Sequence, residues 1–86
     1  MKTFIVNILS PDYEISFIDT SYLIGEGIEG RFMILHNHAP YLIYLLPSMI
    51  TVCMRTQVQK FTLSNRSILK VVNNVCRIMT STIQSV

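Results

Sequence analysis

Short runs in which apolar and polar residues alternate dominate this sequence. The alternation occurs in residues 4–9, 13–17 and 60–64, and β-branched residues are frequent in these runs. Successive side chains of a β-strand point to opposite faces, so a period of two residues is typical of strands with one buried face. No window shows the spacing of three and four that an amphipathic helix requires. The sequence therefore predicts an all-β protein.

Turn-forming residues separate the runs at short intervals. They are Ser10-Pro11-Asp12, Gly25-Glu26-Gly27, Pro47-Ser48, Asn65-Arg66-Ser67 and Asn73-Asn74. Asparagine tolerates a left-handed backbone, so Asn73-Asn74 is expected to close a hairpin between residues 68–72 and 75–79. We predict an antiparallel β-sandwich of about eight to ten short strands, formed by two sheets packed face to face. It is expected to occupy residues 1–80, and residues 81–86 are expected to form a polar, frayed C-terminal tail.

Residues 32–54 contain no Asp, Glu, Lys or Arg. By length alone this segment could cross a bilayer, which takes about 20 residues of helix. His36, Asn37 and His38 are costly in hydrocarbon, and Pro40 and Pro47 would break or kink a helix. We therefore predict no membrane span. The apolar run at the N-terminus is too short for a signal peptide, so the chain is expected to stay in the cytoplasm.

The apolar content exceeds what a small core needs. Half of the 86 residues are apolar, whereas folding hides only about two-thirds of the surface of so short a chain. Surplus apolar surface is usually buried against a partner or a lipid. The composition therefore favours a component of a larger assembly over a free-standing enzyme.

Charge is distributed unevenly along the chain. The net charge is +2, and no acidic residue follows Glu29. The later strands could thus present a basic face to nucleic acid, anionic lipid or an acidic protein patch. A small nucleic-acid-binding β-domain is the alternative hypothesis for the function. No aromatic residue follows Phe61, so the later strands lack the stacking platform expected of such a domain.

The residues with catalytic or metal-binding potential form no recognisable constellation. His36 and His38 would share one face of a strand and could hold a metal, but a third ligand at a suitable spacing is missing. A small metal-dependent enzyme using this pair is the third hypothesis. Cys53 and Cys76 lie in apolar runs and are expected to be reduced, packed thiols. We predict no catalytic residue, no metal and no cofactor.

The segment from Gly27 to Leu42, GIEGRFMILHNHAPYL, resembles a motif of the ATP synthase epsilon subunit family that reads G-x-x-G-x-[FL]-G-[IV]-L-P-x-H-A-P-[LI]-L. The opening strand that ends at Ser10-Pro11 and the turn at Pro47 are similar to the family pattern, as are residues 61–64 and 68–71. The departures are Arg31, Met33, His36, Ser48 and the turn Asn65-Arg66-Ser67. All of these except Arg31 affect turns, so they bear on loop shape more than on the fold. Arg31 occupies a position that is often acidic in the family, so the contact with the membrane rotor is expected to use a different charge partner.

The resemblance implies a non-catalytic rotor subunit of the central stalk of the F-type ATP synthase. It implies a β-sandwich that binds the gamma subunit, rests on the c ring and couples proton transport to ATP synthesis. Nucleic acid is not an expected partner. The family's C-terminal helical hairpin has no room in this sequence, so its regulatory roles are not expected. The implied location is peripheral, at the cytoplasmic face of the bacterial inner membrane or the equivalent organelle membrane.

The resemblance also implies which residues meet each partner. The positions expected to face the c ring are Glu26, Gly27, Ile28, Glu29, Gly30, Arg31 and Phe32. The positions expected to face gamma are Ser10, His38 and Ile43. Apart from the resemblance, the two glycines are expected to permit a positive φ in a tight loop.

Overall fold

A computed structural model describes residues 2–12 and 14–85 of the chain. The described residues form strands β1 Phe4–Leu9, β2 Glu14–Gly27, β3 Gly30–Leu35, β4 Tyr41–Leu45, β5 Ser48–Met54, β6 Val58–Leu63, β7 Ser67–Val72, β8 Val75–Met79 and β9 Ile83–Ser85. The prediction of an all-β sandwich is thereby confirmed. Within the described part of the chain, no helix has the length and apolarity needed to cross a membrane.

The two layers of the sandwich belong to one continuous hydrogen-bonded sheet that folds over on itself. In the first layer β1, β8, β7 and β4 are neighbours, and the beginning of β2 pairs with β1. In the second layer the end of β2 lies between β3 and β5, followed by β6 and β9. β2 is therefore shared by both layers.

β2 changes layer near Thr20. The register of its pairing with β5 shifts between Thr20 and Tyr22, as expected where a bulge bends a strand. Thr20 is fully buried, and its hydroxyl donates a hydrogen bond of 3.3 Å to the carbonyl oxygen of Phe17. This bond satisfies a polar group that the bend would otherwise leave buried without a partner.

One strand pairing differs from the antiparallel prediction. β1 and β8 run parallel, with Ile5 opposite Val75 and Leu9 opposite Met79. The other pairings of the described strands are antiparallel. A parallel pair requires a long connection, here the whole of β2 to β7, so local sequence patterns carry no sign of it.

The core lies between the two layers. Strands β1 to β8 all contribute to it, and Ile8, Leu23, Ile34 and Leu69 are completely buried. In β1, Phe4, Val6 and Ile8 face inward, as their alternation predicts. The buried rings of Phe17 and Phe61 lie 5.6 Å apart between centroids and link β2 to β6.

Two predictions about irregular segments are wrong. Gly25-Glu26-Gly27 is not a turn, because these residues end β2 and the turn follows at Ile28-Glu29. The C-terminal residues are not frayed throughout, because Ile83–Ser85 forms β9 and pairs with β6. The domain boundary at residue 80 stays a prediction.

The predicted hairpin at Asn73-Asn74 is confirmed. β7 and β8 flank it with Val72 opposite Val75, and both asparagines have positive φ, 51° and 63°. The Asn74 side-chain amide donates to Oδ1 of Asn37 at 3.1 Å, and the Asn37 backbone N–H donates to Oδ1 of Asn74 at 2.7 Å. These two bonds join the hairpin to the turn between β3 and β4.

Replacing Asn74 by glycine is expected to lower the free energy of unfolding by about 1–2 kcal/mol, because glycine keeps the left-handed backbone but removes both bonds to Asn37. Asn73→Gly is the matched control in the same turn, and its unfolding free energy should change by less than about 0.5 kcal/mol. Urea unfolding followed by circular dichroism measures both. Equal effects of the two substitutions would show that the bonds to Asn37 contribute nothing.

Cys76 on β8 is fully buried, and this burial raises the pKa of its thiol from 9.0 to about 12. Between these values the unfolded chain releases the thiol proton while the folded chain keeps it. The thiol therefore contributes stability that is complete below pH 9 and is lost as the pH rises toward 12.

We expect the free energy of unfolding, measured with urea, to fall between pH 8 and pH 10, by up to about 1.4 kcal/mol per pH unit above pH 9. The comparison variant is Cys76→Ala, whose free energy of unfolding should fall less over the same range. In the wild type, iodoacetamide should modify the half-buried Cys53 before Cys76. Identical pH profiles of the two proteins would contradict the assignment to Cys76.

Candidate partner interface

The hairpin between β2 and β3 brings together all seven residues expected to face the c ring. Gly27 pairs with Gly30, and Ile28 and Glu29 form the two-residue turn between them. Gly30 has a φ of +123°, so the predicted positive φ is confirmed there. Ile28 is 62% exposed at the tip. The hairpin therefore presents an apolar side chain to its surroundings.

An ion pair joins the two strands of the hairpin next to its turn. Glu26 and Arg31 are direct cross-strand partners, and Nε of Arg31 donates to Oε1 of Glu26 at 3.1 Å. The Arg31 side chain is 74% exposed and that of Glu26 is 40% exposed, so solvent screens the pair and it contributes at most about 1 kcal/mol to stability. From the sequence, Arg31 is a departure from the family pattern and one of the positions expected to face the c ring. Its partner follows from the strand register, which the sequence alone does not give.

Large side chains pack over two glycines and hold the hairpin against the sandwich. A Cβ built on Gly25 would lie 2.7 Å from Cζ of Phe32, and one built on Gly27 would overlap Cδ1 of Ile43. The Phe32 ring in turn meets the Tyr41 ring edge-on, with centroids 6.1 Å apart. These positions are glycine because Phe32 and Ile43 leave no room for a Cβ atom, and not because the backbone there needs a positive φ. The hairpin is therefore braced by β4.

The three residues expected to face gamma lie on separate segments. Ser10 follows β1, His38 follows β3, and Ile43 lies in β4. The His38 ring lies 5.2 Å from the Tyr41 ring, and its Nδ1 is 2.7 Å from the carbonyl oxygen of Ala39.

Ile43 contacts the hairpin from inside the sandwich. It is half-buried, packs against the core and reaches over Gly27. One residue expected to face gamma thus touches one expected to face the c ring. Ile43 therefore packs β4 against the hairpin.

The neighbours of Ile43 on β4 form an exposed apolar surface that the sequence pattern does not locate. Leu42 and Tyr44 are 61% and 58% exposed, and they share an open groove of about 260 Å³ with Ile28 and Glu29. We call these four residues the hairpin patch. Alternation in β4 indicates that one face is outward, but only the fold shows that this face lies beside the hairpin tip. The patch is part of the apolar surplus expected from composition.

The geometry does not support the metal hypothesis. His36 lies in a turn, so the H-x-H pair is not on one face of a strand. Among residues 2–12 and 14–85, no three His, Cys, Asp or Glu side chains are grouped so that they could hold a metal ion.

Comparison with known proteins relates the chain to a family. Residues 3–86 match the family described as ATP synthase, Delta/Epsilon chain, beta-sandwich domain. The chain belongs to this family. Two of its relatives are named ATP synthase epsilon chain and come from Wolbachia pipientis wMel and from Wolbachia pipientis subsp. Culex pipiens strain wPip. They are 52% and 46% identical over 84 residues, which cover 98% of this chain and 74% of each relative.

Two solved structures share the family fold. One is a chain of the Euglena gracilis mitochondrial ATP synthase, OSCP/F1/c-ring, with a TM-score of 0.88 and 16% identity. The other is a chain of the Tetrahymena thermophila mitochondrial ATP synthase central stalk and c ring, with a TM-score of 0.84 and 18% identity. Each match covers 96% of this chain, but only 53% and 66% of those chains. At these identities the likeness shows the fold alone.

Proposed function

We propose that this chain is a rotor subunit of an F-type ATP synthase that links the gamma subunit to the c ring in the central stalk. The observation that carries the proposal is the braced hairpin with its exposed apolar patch, in a chain 52% identical to a relative named ATP synthase epsilon chain. In this proposal the subunit couples proton transport to ATP synthesis mechanically and performs no catalytic step.

The braced hairpin suits a mechanical role. Torque that passes through a subunit is useful only if the subunit does not shear, and close packing makes a protein interior stiff. Here Ile43 and Phe32 lock the hairpin onto β4, while β2 continues from the hairpin into both layers. A load on Ile28 would therefore reach the whole sandwich.

The hairpin patch is the proposed contact with the c ring. Ile28, Leu42 and Tyr44 supply apolar area, whose burial contributes roughly 25 cal/mol per Å² before the costs of association. Glu29 places a carboxylate at the rim. We assign contact with gamma to Ser10 and His38. We assign Ile43 a bracing role, because its side chain packs over Gly27 of the hairpin.

The proposed location follows from these partners. A subunit that rests on a c ring is peripheral to the membrane, and we place it at the cytoplasmic face of a bacterial inner membrane or the equivalent organelle membrane.

The nucleic-acid alternative is less well supported. Lys60 lies on the outward face of the second layer, because its neighbour Phe61 points into the core. Lys70 and Arg77 lie on the outward face of the first layer, beside the inward Leu69 and Ile78. Lys60 therefore lies on the opposite side of the sandwich from Lys70 and Arg77, so the three cations do not form one basic face.

Purification of the complex through a tag on gamma tests the function. Ile28→Glu should reduce the c subunit recovered with gamma and this chain by about tenfold, because a carboxylate replaces a side chain buried at the contact. Val58→Glu is the matched control, since Val58 is 52% exposed on the second layer. Both variants should keep the circular dichroism of the wild type. Full recovery of c subunit with folded Ile28→Glu would reject the c-ring contact.

The contact with gamma has its own test. His38→Glu should weaken co-purification of this chain with gamma, while Ile28→Glu should leave that step unchanged. Failure of the wild-type chain to co-purify with gamma from the same organism would reject the proposed function itself.

A further inference from the structure

Two cations lie side by side in the middle of the first layer. Lys70 on β7 is the direct cross-strand partner of Arg77 on β8, and both side chains are exposed. In the same row, Leu42 of β4 lies beside Lys70, and Asn7 of β1 lies beside Arg77. Directly opposite residues of an antiparallel pair have Cβ atoms about 4.5–5.5 Å apart. The two positive charges are therefore close neighbours on one face.

Nothing in the described chain neutralises this pair. No described carboxylate lies within ion-pair distance of either cation, and the ion pair that is present joins Arg31 to Glu26 on the hairpin. Like charges directly opposite each other destabilise a sheet. An opposite-charge pair at these positions would stabilise the isolated chain, so a stability argument does not account for the two cations.

The cations flank an open groove of about 380 Å³, lined by Lys70, Val72, Asn73, Val75 and Arg77. Exposed apolar side chains surround it on the same face: Leu42 is 61% exposed, Met79 40% and Val72 39%. We call this site the Lys70–Arg77 groove. Its chemistry is a pair of cations within an apolar surround.

We propose that the Lys70–Arg77 groove is a docking site for an acidic protein segment, which places a carboxylate between the two cations and apolar side chains over Val72 and Val75. A carboxylate has two oxygens, so it can accept hydrogen bonds from both cations at once. A nucleic-acid backbone instead needs a track of several cations, whereas this row holds two. The apolar surround therefore favours a protein segment.

The inference deepens the proposed function, on which it rests for the identity of the partner, the gamma subunit of the stalk. The probe is gamma purified from the same organism, and its affinity for this chain is measured by calorimetry at low and high NaCl. The double variant Lys70→Glu/Arg77→Glu should bind gamma at least about tenfold more weakly than the wild type at low NaCl, and its binding should no longer weaken as NaCl is added. Lys60→Glu on the second layer is the matched control and should bind as the wild type does.

A second measurement separates docking from a structural effect. Lys70→Glu alone creates an opposite-charge pair with Arg77, so the isolated chain should melt about 2–5 °C higher while its affinity for gamma falls. A lower melting temperature would contradict the like-charge argument. If Lys70 only supported the fold, a variant with a higher melting temperature would not be expected to bind gamma more weakly.

The outcomes distinguish the two proposals. Wild-type binding with undiminished affinity of the folded double variant would overturn the docking site and leave the proposed function intact. Absence of binding by the wild type would overturn both. Inorganic phosphate is the remaining probe, and its binding is followed by NMR shifts at residues 70–77. Saturable shifts, together with an unchanged affinity of the double variant for gamma, would identify a site for a free anion and overturn the protein-docking proposal.

Discussion

Phe61→Ala is expected to lower the free energy of unfolding by about 3–5 kcal/mol, the range for deleting a buried ring. Phe61 is 2% exposed, and its ring contacts Phe17 across the core between β6 and β2. A domain of this size has a total stability of about 5–15 kcal/mol, so the variant should populate unfolded chains at moderate temperature.

Val58→Ala provides the comparison within β6, because Val58 is 52% exposed on the outer face. Its loss should stay below about 1 kcal/mol. Urea unfolding of both variants, followed by circular dichroism, gives the two free energies. A loss below about 1 kcal/mol for Phe61→Ala would mean that the two layers do not close over this ring.

Gly27→Ala is expected to cost about 1–3 kcal/mol, because the added methyl group would overlap Cδ1 of Ile43. Ile43→Val removes that carbon atom and alone should cost about 0.5–1.5 kcal/mol. The double variant should be more stable than the sum of the two losses predicts, since each change makes room for the other.

Urea unfolding of the four proteins in this cycle measures the coupling between Gly27 and Ile43. We expect a coupling of about 1 kcal/mol or more, in the direction of rescue. Additive losses would show that the hairpin is not braced by Ile43. Because the same variants can be tested for recovery of the c subunit, the cycle also connects stiffness of the hairpin to the proposed function.

The strands were predictable because their signals are local. Alternation in β1 identified the inward residues Phe4, Val6 and Ile8, and Asn73-Asn74 identified a hairpin, since each depends on neighbouring residues alone. The prediction of a turn at Gly25-Glu26-Gly27 is wrong because the reason for these glycines is not local. Gly25 and Gly27 are small because Phe32 and Ile43 pack over them, and these contacts exist only after folding.

The candidate site was predictable only in part. The hairpin residues came from the resemblance to a family motif, and the fold then placed them together at one tip. The contribution of Leu42 and Tyr44 and the ion pair of Arg31 depend on which strands pair and in which register. The opposition of Lys70 to Arg77, in contrast, follows from the two-residue turn at Asn73-Asn74, because such a turn fixes the register of its hairpin. The register of β4 against β7 is a tertiary property, because β5 and β6 separate these two strands in the chain.

The parallel pairing of β1 with β8 has a consequence for the chain as it leaves the ribosome. β1 is synthesised early and can form a hairpin with β2, but its other edge has no neighbour until β8 has been translated. An open strand edge is a template for pairing with other chains. Nascent chains of this protein should therefore be prone to association until synthesis reaches residue 79. Because the pairing of β1 with β8 is a non-local contact, its formation should limit the rate of folding.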